Sequence, residues 1–120
     1  MNEKLPQTLE IPLSALAELA VEWWRLERWA GGADASASHA RHVARRLGRF
    51  LSERELTVLD LTGRRYEPGL AVEVLDVVRD EGAGASAGTE VVDEMVSPII
   101  LWRGTVVRHG QVIVRKVNDE

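Results

Sequence analysis

From Leu13 onward the apolar residues of this chain recur three and four apart. Leu13, Leu16, Ala17, Ala20, Trp23 and Trp24 fall on one face of a helix, and Leu19 and Leu26 widen it. A stripe this broad on about five turns exceeds what one neighbour covers, which points to a hairpin partner and to a second subunit. Gly31-Gly32 predicts the helix end, because glycine accepts the left-handed conformation there, and Asp34 or Ser36 is placed to cap the next helix. In that second helix Val43, Leu47, Phe50 and Leu51 make the buried stripe. Arg41, Arg45 and Arg49 repeat every four residues on the other side and are expected to face water, ion-paired with Glu18, Glu22 and Glu27 of the first helix.

After Leu56 the period changes to short β-branched and apolar segments punctuated by Gly63, Pro68-Gly69 and the run Gly82 to Gly88. Strands are expected over about 70–78, 90–96, 99–102, 105–107 and 111–117, with the glycine-alanine run as a connecting loop. The segregation of elements makes the class α+β: a tail over 1–12, a helical hairpin over 13–55 and a small all-β domain of short strands over 56–120. Two hairpins are expected to pair as a homodimeric four-helix bundle, with Leu16, Ala20, Trp23 and Trp24 at the interface. Trp23, Trp24 and Trp29 are the candidate aromatic anchors, and Glu27 interrupts the apolar face.

The 120 residues, 45% hydrophobic and 28% charged, suit one ordinary folded domain. The net charge is −4 and uneven: residues 1–56 hold 8 basic and 8 acidic side chains, residues 57–120 hold 7 and 11. Such a balance argues against nucleic-acid binding. The absence of cysteine removes disulfides and thiolate nucleophiles and fits a reducing cytoplasm. No basic leader with an apolar core and no run of about 20 apolar residues is found, so neither secretion nor membrane insertion is predicted.

Candidate chemistry is sparse. His39 and His42 lie at i and i+3 on a helix but lack further ligands at metal-site spacing, and His109 sits in a glycine-containing strand connection. The Gly82 to Gly88 run lacks the lysine and hydroxyl of a phosphate-binding loop and no helix follows it. The expectation is a protein that is not an enzyme and uses no metal and no cofactor.

Three segments carry a resemblance. Gly63-Arg-Arg-Tyr66-Glu67-Pro68-Gly69-Leu70, Gly88-Thr89-Glu90-Val91-Val92 and Gly104-Thr-Val-Val-Arg108-His-Gly-Gln-Val112-Ile-Val114 follow the helical hairpin in the order seen in the GrpE-type nucleotide exchange factors of DnaK-type chaperones. The chain resembles that family over about residues 13–117. It departs from it at Ala71-Val72-Glu73, Ile99-Ile100 and His109-Gly110, at Thr105 where an arginine is usual (Arg103 stands close), and in having no counterpart of the long paired helix. The resemblance implies a β-domain that docks on a DnaK-type ATPase, holds its nucleotide cleft open and releases ADP. It places Gly104, Arg108 and Val114 on or beneath the docking surface, and Arg103 is expected to join Arg108 in pairing with the partner's carboxylates. A dimeric adaptor that keeps the fold without exchange is the alternative.

Overall fold

The computed structural model describes residues 5–32, 37–79 and 89–117. The helical periodicity becomes α1 (Leu13–Gly32) and α2 (Ser38–Glu53). Trp23 donates its indole N–H to the Ala44 carbonyl at 2.7 Å, Arg41 reaches the Ala30 carbonyl, and Ala17 and Ala20 share a cluster with Leu51. These contacts step backward along α2 as they advance along α1, so the pair is an antiparallel hairpin. α1 ends at Gly32, with the glycine pair at its C-terminus as expected. The expected caps Asp34 and Ser36 lie outside the described residues, and Ala37 at the cap position makes no side-chain cap bond.

Strand β1 (Leu56–Leu59) begins three residues after α2 and was not among the expected strands. β2 (Val72–Arg79), β3 (Thr89–Ser97), β4 (Ile99–Trp102), β5 (Thr105–Arg108) and β6 (Gly110–Val117) match the expected segments to within two residues at either end. The glycine-alanine loop, Gly82 to Gly88, lies outside the described residues. The strands form two sheets, ordered β1-β4-β5 and β2-β6-β3, with β2 parallel to β6 and the other pairs antiparallel.

Single residues carry the chain from sheet to sheet. Buried Pro98 joins β3 to β4, and His109 joins β5 to β6. The four strands are therefore one long hairpin bent at a corner, with β4–β5 in one sheet and β3–β6 in the other. Proline suits the corner because it donates no ladder hydrogen bond. Gly110 suits it sterically: a Cβ there would stand 2.8 Å from Met95 Cε and 3.0 Å from the Ser97 carbonyl oxygen.

The layers follow from β4. Ile99 and Leu101 belong to the cluster between the sheets, with Val92, Met95, Val112 and Val114, while Ile100 and Trp102 belong to the cluster under the hairpin, with Ala17, Ala20, Val21 and Leu56. The order is hairpin, first sheet, second sheet. A strand covered on both faces needs apolar residues at successive positions, which is why β4 reads Ile-Ile-Leu-Trp without alternation. The central strand β6 alternates instead, burying Gly110, Val112 and Val114. A bulge after Val92 moves the inward positions of β3 from Val92 to Met95.

Candidate functional site

The β-domain residues singled out above occupy different positions. Arg103 and Gly104 form the two-residue β4–β5 turn, both at positive φ (51° and 79°), the pattern of a type I′ hairpin. The Arg103 guanidinium lies 4.4 Å from the centre of the Trp102 ring, and its Nε pairs with Glu55 at 2.6 Å. The Arg103 backbone N–H also donates to the Glu55 carbonyl. The turn is thus tied to the junction of α2 and β1. With both side chains more than half exposed, the ion pair contributes at most about 1 kcal/mol and can exchange partners.

Arg108 is exposed at the far end of β5, roughly 13 Å from Gly104 of the turn at the rise of a strand. Between them Val106 is also exposed, whereas Val107 packs toward the hairpin. Because β5 is the outer strand of its sheet, the Arg103-Gly104 turn, Val106 and Arg108 form one accessible edge. Val114 is not part of it. That side chain is fully buried in the centre of β6 and acts only through the packing between the sheets.

Of the four residues expected at a dimer interface, Ala20 and Trp24 are buried by their own chain (0% and 6% exposed). The β-domain takes up the width of the stripe, Ala20 clustering with Leu56 and Ile100 and Trp24 with Leu61, Val92 and Met95, neighbours that periodicity alone does not reveal. Leu16 and Trp23 remain half-buried, and the large side chain left in the open on α1 is Trp29, at 61%. Trp24 gives its indole N–H to Asp60 Oδ2 at 3.0 Å, and Arg28 lies over its ring while donating to the Met95 carbonyl. Burial alone would raise the Asp60 carboxyl. Hydrogen bonds from the Thr62 hydroxyl and backbone and from Trp24, with the charge of Arg28, hold it below its ordinary value instead.

A cleft of about 540 Å³ opens between the helices, lined by Trp23, Glu27, Ala44, Arg45, Gly48 and Arg49 among others. A smaller hollow of about 360 Å³ adjoins it, sharing Trp23, Glu27 and Gly31 and reaching Arg28 and Asp60. Glu27 is exposed and has no ion pair with a described residue. The expected pairing with α1 carboxylates is not formed by Arg45 or Arg49: Glu22 pairs with Arg25 on its own helix, and Arg45, Arg46 and Arg49 have no ion pair with a described residue. His39, His42 and His109 are all exposed, and among the described residues no three potential metal-binding side chains gather. Also among the described residues, no helix is long and apolar enough to cross a membrane.

Glu55, Asp60 and Gly48 were not singled out from the sequence. Glu55 and Asp60 meet partners 48 and 36 residues away, a separation with no local signature, and Gly48 lies within an ordinary helical run. No known protein family matches the chain, and no curated protein matches it.

Proposed function

We propose that the chain is a GrpE-like nucleotide exchange factor: a cytoplasmic homodimer that binds a DnaK-type chaperone ATPase through its β-domain, opens the nucleotide cleft and promotes ADP release. One observation carries the reading. A helical hairpin packs on a two-sheet β-domain in the order that the resemblance implies, and that domain leaves the β5 edge, with Arg108, Val106 and the Arg103-Gly104 turn, in the open.

An exchanger makes and breaks no covalent bond. It binds the open ATPase better than the closed one, and each 1.4 kcal/mol or so of preference shifts that equilibrium about tenfold. Arg108 supplies a carboxylate-binding end to the edge, and Arg103 a second once it leaves Glu55. Adding the protein to DnaK-type ATPases loaded with a fluorescent ADP analogue is the test. The expected result is accelerated release, slowed roughly tenfold or more by Arg108→Ala with unchanged thermal unfolding, as for a desolvated charge contact. Binding without faster release would replace exchange by the adaptor reading, which the sequence departures around residues 71–73 favour. No binding to any such ATPase would overturn both.

A further inference from the structure

The outward side of α2 is a cationic wall beside an apolar hole. Over Ser38–Glu53 four arginines stand against one carboxylate, Glu53. Arg41 is committed to the Ala30 carbonyl, but Arg45, Arg46 and Arg49 have no counter-charge among the described residues. Arg45 and Arg49 line the 540 Å³ cleft, together with Trp23, Ala44 and Gly48. A Cβ on Gly48 would come within 3.1 Å of the Trp23 ring, so the glycine lets the indole lie close against α2. The indole N–H is already satisfied by Ala44, and the ring therefore offers an apolar surface that needs no polar partner.

We infer that this cleft is a docking groove for an acidic amphipathic helix of another protein. A bulky apolar side chain of that helix seats against Trp23, and carboxylates at i and i+4 meet Arg45 and Arg49. The spacing supports this occupant: positions four apart on a helix are separated by about 6 Å along the axis, on α2 and on a partner alike. An open apolar cleft with charges at its margin is also the usual anatomy of a helix-in-groove interface. A nucleic acid is less well matched, since two arginines four residues apart supply few phosphate contacts and a phosphodiester backbone carries nothing to seat on the apolar floor of Trp23, Ala44 and Gly48. A second copy presenting its own α2 would set like charges against each other. The inference is independent of nucleotide exchange, which was assigned to the β5 edge.

The test is fluorescence anisotropy of the full-length chain with a labelled synthetic helix of about five turns, carrying Glu at i, i+4 and i+8 and leucines on the adjoining face. A twin with Gln for every Glu is the control. Saturable binding of the Glu peptide is expected, weakened roughly tenfold or more in the Gln twin, in Arg45→Glu/Arg49→Glu and in Gly31→Leu. Gly31 lines the cleft and a Cβ there meets nothing within 4 Å, so its leucine fills the groove without disturbing the core. Thermal unfolding and far-ultraviolet circular dichroism check that both variants fold. Equal binding of the two peptides, binding insensitive to both variants, or none at about 100 µM would overturn the inference. Tighter binding of a single-stranded oligonucleotide would reassign the face to nucleic acid, and loss of a dimer in the arginine double variant would make it a contact between copies. Failure of exchange with peptide binding intact would leave it standing.

Discussion

A methyl group at position 110 has no free volume to enter, whereas one at position 104 has ample space and the wrong backbone. The two glycines therefore fail differently when replaced by alanine. At Gly110 the Ser97 carbonyl and Ile99 bound the site within 3.1 Å, and Gly110→Ala is expected to cost about 1–3 kcal/mol by overpacking the corner. At Gly104 nothing lies within 4 Å of a Cβ but φ is +79°, so alanine costs roughly 1–2 kcal/mol of conformational strain. Asparagine, which tolerates the left-handed region, should recover much of that loss at 104 and none at 110. Urea unfolding of the four variants, read at constant m-value, checks both accounts. Glycine content showed in the sequence that turns exist. Which glycine serves space and which serves φ depends on neighbours that only the bent hairpin supplies.

At the scale of elements, Trp24 and Asp60 fasten α1 to the end of β1. The sign of its pH dependence follows from the depressed Asp60 carboxyl. A group held below its unfolded value stabilises the fold above that value, and the contribution is lost as pH falls through the ordinary carboxylate range toward the folded value. Stability is expected to decline from about pH 5 toward pH 3, and Asp60→Asn should flatten that decline. Trp24→Phe, which keeps the ring and removes the N–H donor, should flatten it partly. Thermal unfolding at a series of pH values decides; an unaltered slope in both variants would show the fastening to be unimportant. The elements themselves were largely legible, since periods of 3.6 and 2 follow from which faces are buried. β1 escaped because four residues, Leu-Thr-Val-Leu, are too few to establish a period.

For the whole molecule, the burial of Ala20 and Trp24 relocates the proposed dimer contact. The apolar side chains that α1 leaves at least partly uncovered include Leu26 and Trp29, seven and ten residues beyond Leu19 along the same flank of the helix. If hairpins pair, they pair there. Trp29→Ala combined with Leu26→Ala is expected to raise the dimer dissociation constant roughly tenfold or more while costing the monomer no more than about 1–2 kcal/mol, nearly all of it from half-buried Leu26. Sedimentation equilibrium with parallel urea unfolding measures both. A wild-type monomer at tens of micromolar would remove the dimer from the proposed function.

The sequence by itself determined the α+β class, the helical hairpin, the junction near residue 55 and most of the strands, because local periodicity records which side of each element avoids water. It also determined that Arg103-Gly104 and Arg108-His109-Gly110 punctuate the last strands. Tertiary structure alone decided that the second of these is a corner between sheets and not the tip of a hairpin, that Val114 is core, that Arg103 is held by Glu55 and that Arg45, Arg46 and Arg49 have no ion pair with a described residue. These outcomes depend on which elements become neighbours. A periodic pattern states that a face is covered but is silent about what covers it, and charge pairing across tens of residues leaves no local trace.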